Sequence, residues 1–283
     1  MPKVLSAQQV EAFERDGYLP AVPVLSADEV RHFRDCLEGF EQRHPEHVKK
    51  LKSKSHLLCP WVVEIAEHPR VLDLFENLIG PNILCWSMAW RIKKPDGKTF
   101  AGWHQDNSYG GVEPILVFGT LAFSECGSRE GCLRVIPGSH KWGQLPHQDS
   151  EDPSSILARG QSITVDFDKS NAVELTLKPG EMALINNRIV HSSGPNNGVD
   201  RRIMLLVEMM PTHAHYPNHR ESALLVRGVD DYRNFDEDPR PDAEFSPQAQ
   251  ANWKRVIDIR AKAIFRHSTL TPSEAYGGVR PAV

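Results

Sequence analysis

Cysteine is scarce in this chain and shows no pairing pattern. The five cysteines, Cys36, Cys59, Cys85, Cys126 and Cys132, are odd in number and form no CxxC pair. That argues against a disulfide framework and against a cysteine-rich zinc site. Long apolar runs are missing too: no stretch nears the roughly 18 residues a helix needs to cross a bilayer. The opening MPKVLSAQQVEAFERDG carries neither the apolar core nor the cleavage pattern of a secretory signal. The expectation is a cytoplasmic protein in a reducing compartment, with no membrane partner. Nor does charge of one sign dominate. Lys and Arg number 33 against 37 Asp and Glu, a formal net charge of −4, and no basic run stands out. Nothing there attracts nucleic acid, so the expected partner is a small-molecule substrate, with the oligomeric state open.

What the chain does have is enough apolar residue, 40% of 283, to bury a sizeable core. It has no internal repeat and no convincing linker, so residues 1–283 are expected to form one domain. Two amphipathic helices should open it. Ser6 can cap the first with Gln9 reaching back, and Ser26 can cap the second with Glu29 completing a capping box. A third helix is expected over about residues 71–78, halted by Gly80-Pro81. The pattern then changes to strand periodicity: in ILCWSMAWRIK, Trp86, Met88 and Trp90 alternate with smaller or polar residues. Further strands are expected at 115–123, 133–136, 173–177, 182–185 and 202–209, punctuated by Pro-Gly and Asn-Gly turns. After Pro211 the strand signal fades, and residues 216–247 read as long polar loops before a last helix at about 248–267. The fold class is therefore mainly β with flanking helices, an antiparallel sandwich or barrel.

The sharpest feature is Trp103-His104-Gln105-Asp106. On an extended segment, residues two apart share a face, so His104 and Asp106 can grip one ion while Gln105 points away. A histidine from elsewhere would complete a two-histidine, one-carboxylate triad, the set that suits Fe(II) and leaves coordination positions open. His191 is the candidate, because it opens the run HSSGPNNGVDRR, which ends in Arg201 and Arg202. An arginine near the third ligand can clamp the distal carboxylate of a keto acid such as 2-oxoglutarate, with Ser193 adding a hydroxyl.

These pieces also resemble the phytanoyl-CoA dioxygenase family of 2-oxoglutarate oxygenases. The matching segments are FERDGYL, LIGPNI, WHQD, GCLRVIPGSH and HSSGPN with its trailing arginine, covering the chain to about Met210. The resemblance implies a double-stranded β-helix (jelly-roll, cupin-like) core. It implies Fe(II) on His104, Asp106 and His191, with 2-oxoglutarate and dioxygen as cosubstrates. It favours Arg202 over Arg201 for the cosubstrate and adds Thr120 to its contacts. Where many relatives carry a tryptophan just beyond Thr120, this chain has Leu121-Ala122. Related halogenases replace the carboxylate of HxD by a small residue; Asp106 keeps it, which favours hydroxylation.

Substrate contacts are expected from Asn107 and Tyr109, which follow the metal motif, and from Arg134, which would suit an anionic or zwitterionic substrate if it faces the cavity. His140 reads as a turn residue, and Trp86, Trp90 and Trp103 as strand packing. No basic cluster stands out for the phosphates of coenzyme A, so a small polar metabolite or natural-product intermediate is expected. Competing readings are a non-catalytic cupin-like binding protein, a zinc hydrolase on the same three ligands, or cyclisation, epimerisation or desaturation on the same iron.

Overall fold

The computed structural model describes residues 4–106, 111–266, 268–272 and 276. The helices are α1 (Ala7–Asp16), α2 (Ala27–Arg43), α3 (Pro60–Ala66), α4 (Pro69–Ile79) and α5 (Pro247–Ile264). The strands are β1 (Tyr18–Pro23), β2 (Ile83–Lys93), β3 (Ala101–His104), β4 (Val117–Ala122), β5 (Leu133–Val135), β6 (His147–Gln148) and β7 (Ser162–Ile163). They continue with β8 (Val173–Leu175), β9 (Glu181–Asn186), β10 (His191–Ser193), β11 (Arg202–Pro211), β12 (Ser222–Arg227) and β13 (Asp236–Glu237). Both N-terminal helices start as expected, each with a complete capping box, Ser6 with Gln9 and Ser26 with Glu29. Gly17 closes α1 in the left-handed conformation, φ 80°, where glycine is unstrained.

Seven strands form one sheet in the order β1-β9-β4-β11-β2-β12-β13, and four form a second, β3-β10-β5-β8. This is a jelly-roll core. Strand alternation on β11 divides the molecule. Ile203, Leu205, Val207 and Met209 join the cluster under the helices with Phe40, Phe75 and Trp90. Arg202, Met204, Leu206 and Glu208 face the other way, into a cavity on the opposite side of the large sheet.

Two expectations change. Trp86, Met88 and Trp90 do not share a face. The β2–β11 register slips between Glu208 (opposite Ser87) and Met209 (opposite Cys85), leaving Trp86 as a bulge. The bulge resets the alternation, so Met88 and Trp90 pack under the helices while Trp86 lines the cavity. The stretch after Pro211 is also more ordered than loops: β12 extends the large sheet by pairing antiparallel with β2. Its SALLVR is a short apolar run that flanking polar residues hide from a periodicity reading. No helix among the described residues is long and apolar enough to cross a membrane.

Candidate active site

His104 ends β3, His191 begins β10, and the two residues are register partners. Asp106 lies two residues beyond the strand, where the chain has left the sheet. Extended alternation thus supplies His104 only, and Asp106 comes from the bend that follows. The anchor of that bend is Gln105. Its side-chain amide donates to the carbonyls of Gly143 (2.9 Å) and Arg188 (2.8 Å), its side-chain oxygen accepts from Leu145 N–H, and its own N–H donates to His147 Nε2. Fully buried and saturated, Gln105 points away from the cluster and holds its two neighbours in place.

The Nδ1 of His104 donates to the Gly102 carbonyl (2.7 Å) and that of His191 to the Ile189 carbonyl (3.0 Å). A carbonyl only accepts, so each Nδ1 carries a proton and each Nε2 is the ring atom turned inward. Those nitrogens lie 3.4 and 3.3 Å from the two oxygens of Asp106, and the ligating atoms of all three residues fall within 4.8 Å of one another. Burial pushes the Asp106 carboxyl up, but the imidazoles outweigh it and hold it well below the usual range. The donor set of two neutral imidazoles and one carboxylate fits a divalent transition ion.

A second group sits nearby. Arg202 is buried on the same cavity wall; one guanidinium N–H donates to the Gly131 carbonyl, and its Nε has no partner. Gly131 lets the chain pass close here: at φ 69°, a Cβ would lie 2.2 Å from the Gly194 carbonyl oxygen. Opposite Arg202 in the β2–β11 register stands Lys93, fully buried, whose ammonium donates to Ser193 Oγ (2.7 Å) and the Gly194 carbonyl (2.6 Å). Burial, and then the Arg202 charge, bring the Lys93 amine down to about 7. Arg202 and Lys93 thus share a buried site in which their hydrogen bonds go to neutral oxygens. Ser193 and Thr120 line the same cavity, Thr120 donating weakly to the Ala183 carbonyl at 3.4 Å. Arg201, by contrast, is spent outside, on Glu38 and Glu41 of α2.

A profile of the phytanoyl-CoA dioxygenase (PhyH) family matches residues 13–204. The chain belongs to that family. It is 27% identical over 242 residues to the peroxisomal phytanoyl-CoA dioxygenase of Bos taurus, covering 75% of this chain and 71% of that one. It is likewise 27% identical over 173 residues to a protein of Stutzerimonas stutzeri named "Probable alpha-ketoglutarate-dependent hypophosphite dioxygenase", covering 59% and 60%. A solved non-heme monooxygenase, ThoJ, superimposes with a TM-score of 0.80 at 27% identity, over 91% of this chain and 98% of that one.

The family-matching stretch carries the triad, Lys93, Arg202, Ser193 and Thr120. The remaining expectations fare differently. Asn107 and Tyr109 lie outside the described residues. Arg134 does not reach the cavity: on β5 it is Leu133 that lines it, and strand alternation turns Arg134 outward, where its guanidinium lies 5.3 Å over the Trp103 ring. His140 bonds the Glu14 carbonyl, away from the triad. Sequence reasoning missed Lys93, hidden in an ordinary IKK run, and the cavity wall built by Trp86, Glu208, Arg260 and residues 156–158. These wall residues enclose a cavity of about 120 Å³ beside the triad.

Proposed function

We propose that this chain is an Fe(II)- and 2-oxoglutarate-dependent dioxygenase that hydroxylates an unactivated C–H bond of a small polar metabolite or natural-product intermediate. The observation that carries the reading is the pairing of a ligand set of two inward-facing imidazoles and a carboxylate with Arg202, buried on the same cavity wall with no carboxylate partner. His104, Asp106 and His191 would hold the iron, and Arg202 would take the distal carboxylate of 2-oxoglutarate, with Ser193 and Thr120 beside it. Bound there, iron and the keto acid supply the oxygen activation, splitting dioxygen between the substrate hydroxyl and succinate with loss of carbon dioxide.

The chain's own work is orientation and exclusion. The two Nδ1–H···O=C bonds fix the imidazole tautomers before any metal arrives. Arg202 is poised because its buried Nε lacks a partner until a carboxylate enters. The apolar wall, including Phe118, Ile185 and Met204, keeps bulk water from the reacting carbon. No side chain is needed as a general acid or base. Retention of Asp106 as a ligand favours hydroxylation over halogenation. Cyclisation or epimerisation would use the same residues, and product analysis separates them.

The test is succinate formation from 2-oxoglutarate by metal-free protein with and without added Fe(II), alongside anaerobic titration for the charge-transfer absorbance of the iron–keto acid pair. Iron-dependent turnover that His104→Ala abolishes is expected. Arg202→Met should raise the KM for 2-oxoglutarate at least about 30-fold, equivalent to about 2 kcal/mol for a buried charge pair cut in half. Neither turnover nor absorbance in folded protein would sink the reading in favour of a binding protein or a zinc hydrolase.

A further inference from the structure

At the other end of the same cavity from Arg202 lies a charged group with open valences. On the cavity face of β11, three two-residue steps separate Arg202 from Glu208, roughly 20 Å at strand rise. Glu208 is buried, and its Oε2 has no hydrogen-bond partner. Facing it from α5 is Arg260, also buried, whose Nε and Nη1 have none either. The two are close without bonding: Arg260 Nη2 is 3.7 Å from Glu208 Oε2, and Nη1 is 3.9 Å from Glu221 Oε2, both beyond hydrogen-bond reach. The guanidinium is held instead by stacking at 3.8 Å on Trp86, the residue the bulge turns inward. Glu221 is already occupied, accepting from Trp86 Nε1 (2.9 Å) and paired with His219 (3.2 Å). Glu208 and Arg260 therefore remain the pair with unused capacity.

We propose that this end binds the head of an amino-acid-like substrate, with its ammonium on Glu208 and its carboxylate on Arg260. The unpartnered atoms select the zwitterion: an ammonium gives Glu208 Oε2 a donor and a carboxylate gives Arg260 Nε and Nη1 an acceptor, whereas a simple anion leaves Glu208 without one. The wall beside it is apolar, with Phe118 opposite Glu208 in register and Leu206 and Ile264 next along their elements, so the side chain on that head is apolar. The proposal rests on the oxygenase reading for its chemistry and is independent of it for binding.

The experiment is anaerobic calorimetric titration of the Fe(II)- and 2-oxoglutarate-loaded protein with each of the twenty L-amino acids. The best binder is then compared with its amide and with its deaminated acid. At least one apolar amino acid should bind, with each analogue weaker by tenfold or more. In Arg260→Met the tenfold penalty for the amide should shrink to less than twofold while the penalty for the deaminated acid persists; Glu208→Gln should do the reverse. Analogues that bind as well as the amino acid, or no binding by any of the twenty, would overturn the proposal. If a variant fails to fold by circular dichroism, the analogue series on the unmodified protein decides alone. Succinate formation in the same preparation keeps the two readings apart: head-group binding without iron-dependent turnover would fault the oxygenase reading only.

Discussion

Lys54, His56 and Asp238 are gathered between an N-terminal turn, β12 and the segment after β13, while His104, Asp106 and His191 sit on the cavity wall. Both clusters set imidazole against carboxylate, and both lie in the protein interior. In the first, Asp238 Oδ2 accepts from Lys54 Nζ (2.8 Å) and is bonded to His56 Nε2 (3.0 Å), and the ammonium donates again to the Ser222 carbonyl (2.6 Å). The positive centre is a side chain of the chain itself, and none of the three residues lines the cavity beside the second cluster. In the second, two imidazole Nε2 atoms and a carboxylate converge with no lysine between them, beside the space where substrate would enter. Residue type alone does not separate a structural clasp from a metal site. The difference is whether the protein supplies the central cation.

The comparison can be broken at either cluster. Asp106→Ala should cost the more in function: loss of a direct ligand should weaken Fe(II) binding by more than about 100-fold, the upper range for supporting residues alone. The unfolding midpoint of the metal-free protein should move little. Calorimetric or fluorescence metal titration checks the first half and thermal unfolding the second. Lys54→Met should behave the opposite way. It strands the Asp238 charge in the interior, for a loss of about 3–5 kcal/mol and a fall in Tm on the order of 10 °C, with Fe(II) affinity unchanged. Pairing it with Asp238→Leu removes the stranded charge and should recover part of that loss; equal Tm values for the single and double variants would show that Lys54 and Asp238 are not coupled.

Much of the candidate site was legible in the chain because it is local. HxD, HSSGPN and the trailing arginine lie in short segments whose residues meet through one sheet pairing, His104 opposite His191. The capping boxes were legible for the same reason, since Ser6 and Ser26 each act on the first turn of their own helix. What escaped depends on events between distant strands. A one-residue bulge turns Trp86 inward, and no periodicity within β2 announces it. Arg134 was misplaced because alternation sets a two-fold choice that only the sheet's packing decides. Glu208 and Arg260 are 52 residues apart and meet only when α5 docks across the cavity. Asp238 shows no motif with Lys54 at all.

The smallest expected effect is in acid stability, and it returns to the closed cluster. Burial pushes the Asp238 carboxyl up, but Lys54 and His56 pull it further down, so its folded pKa lies below the unfolded value near 3.9. Its contribution is then complete above that value and is lost as pH falls through it toward the depressed folded value. Burial likewise lowers His56 despite Asp238 beside it. The folded state therefore takes up that proton less readily than the unfolded chain, and stability begins to fall below about 6.5. Each group adds an acid step no steeper than about 1.4 kcal/mol per pH unit, superposed on those of other lowered groups such as His104, His147 and Glu29. Urea midpoints of the metal-free protein between pH 8 and 3 would resolve them. His56→Gln should flatten the upper step and Asp238→Asn the lower one, each leaving the other in place. Asp106 titrates in the metal-free protein as well, so the sharper measurement repeats the series in the Asp106→Ala background. If both steps persist there and vanish with His56 and Asp238, the acid sensitivity belongs to the clasp and the cavity cluster is free to answer to metal alone.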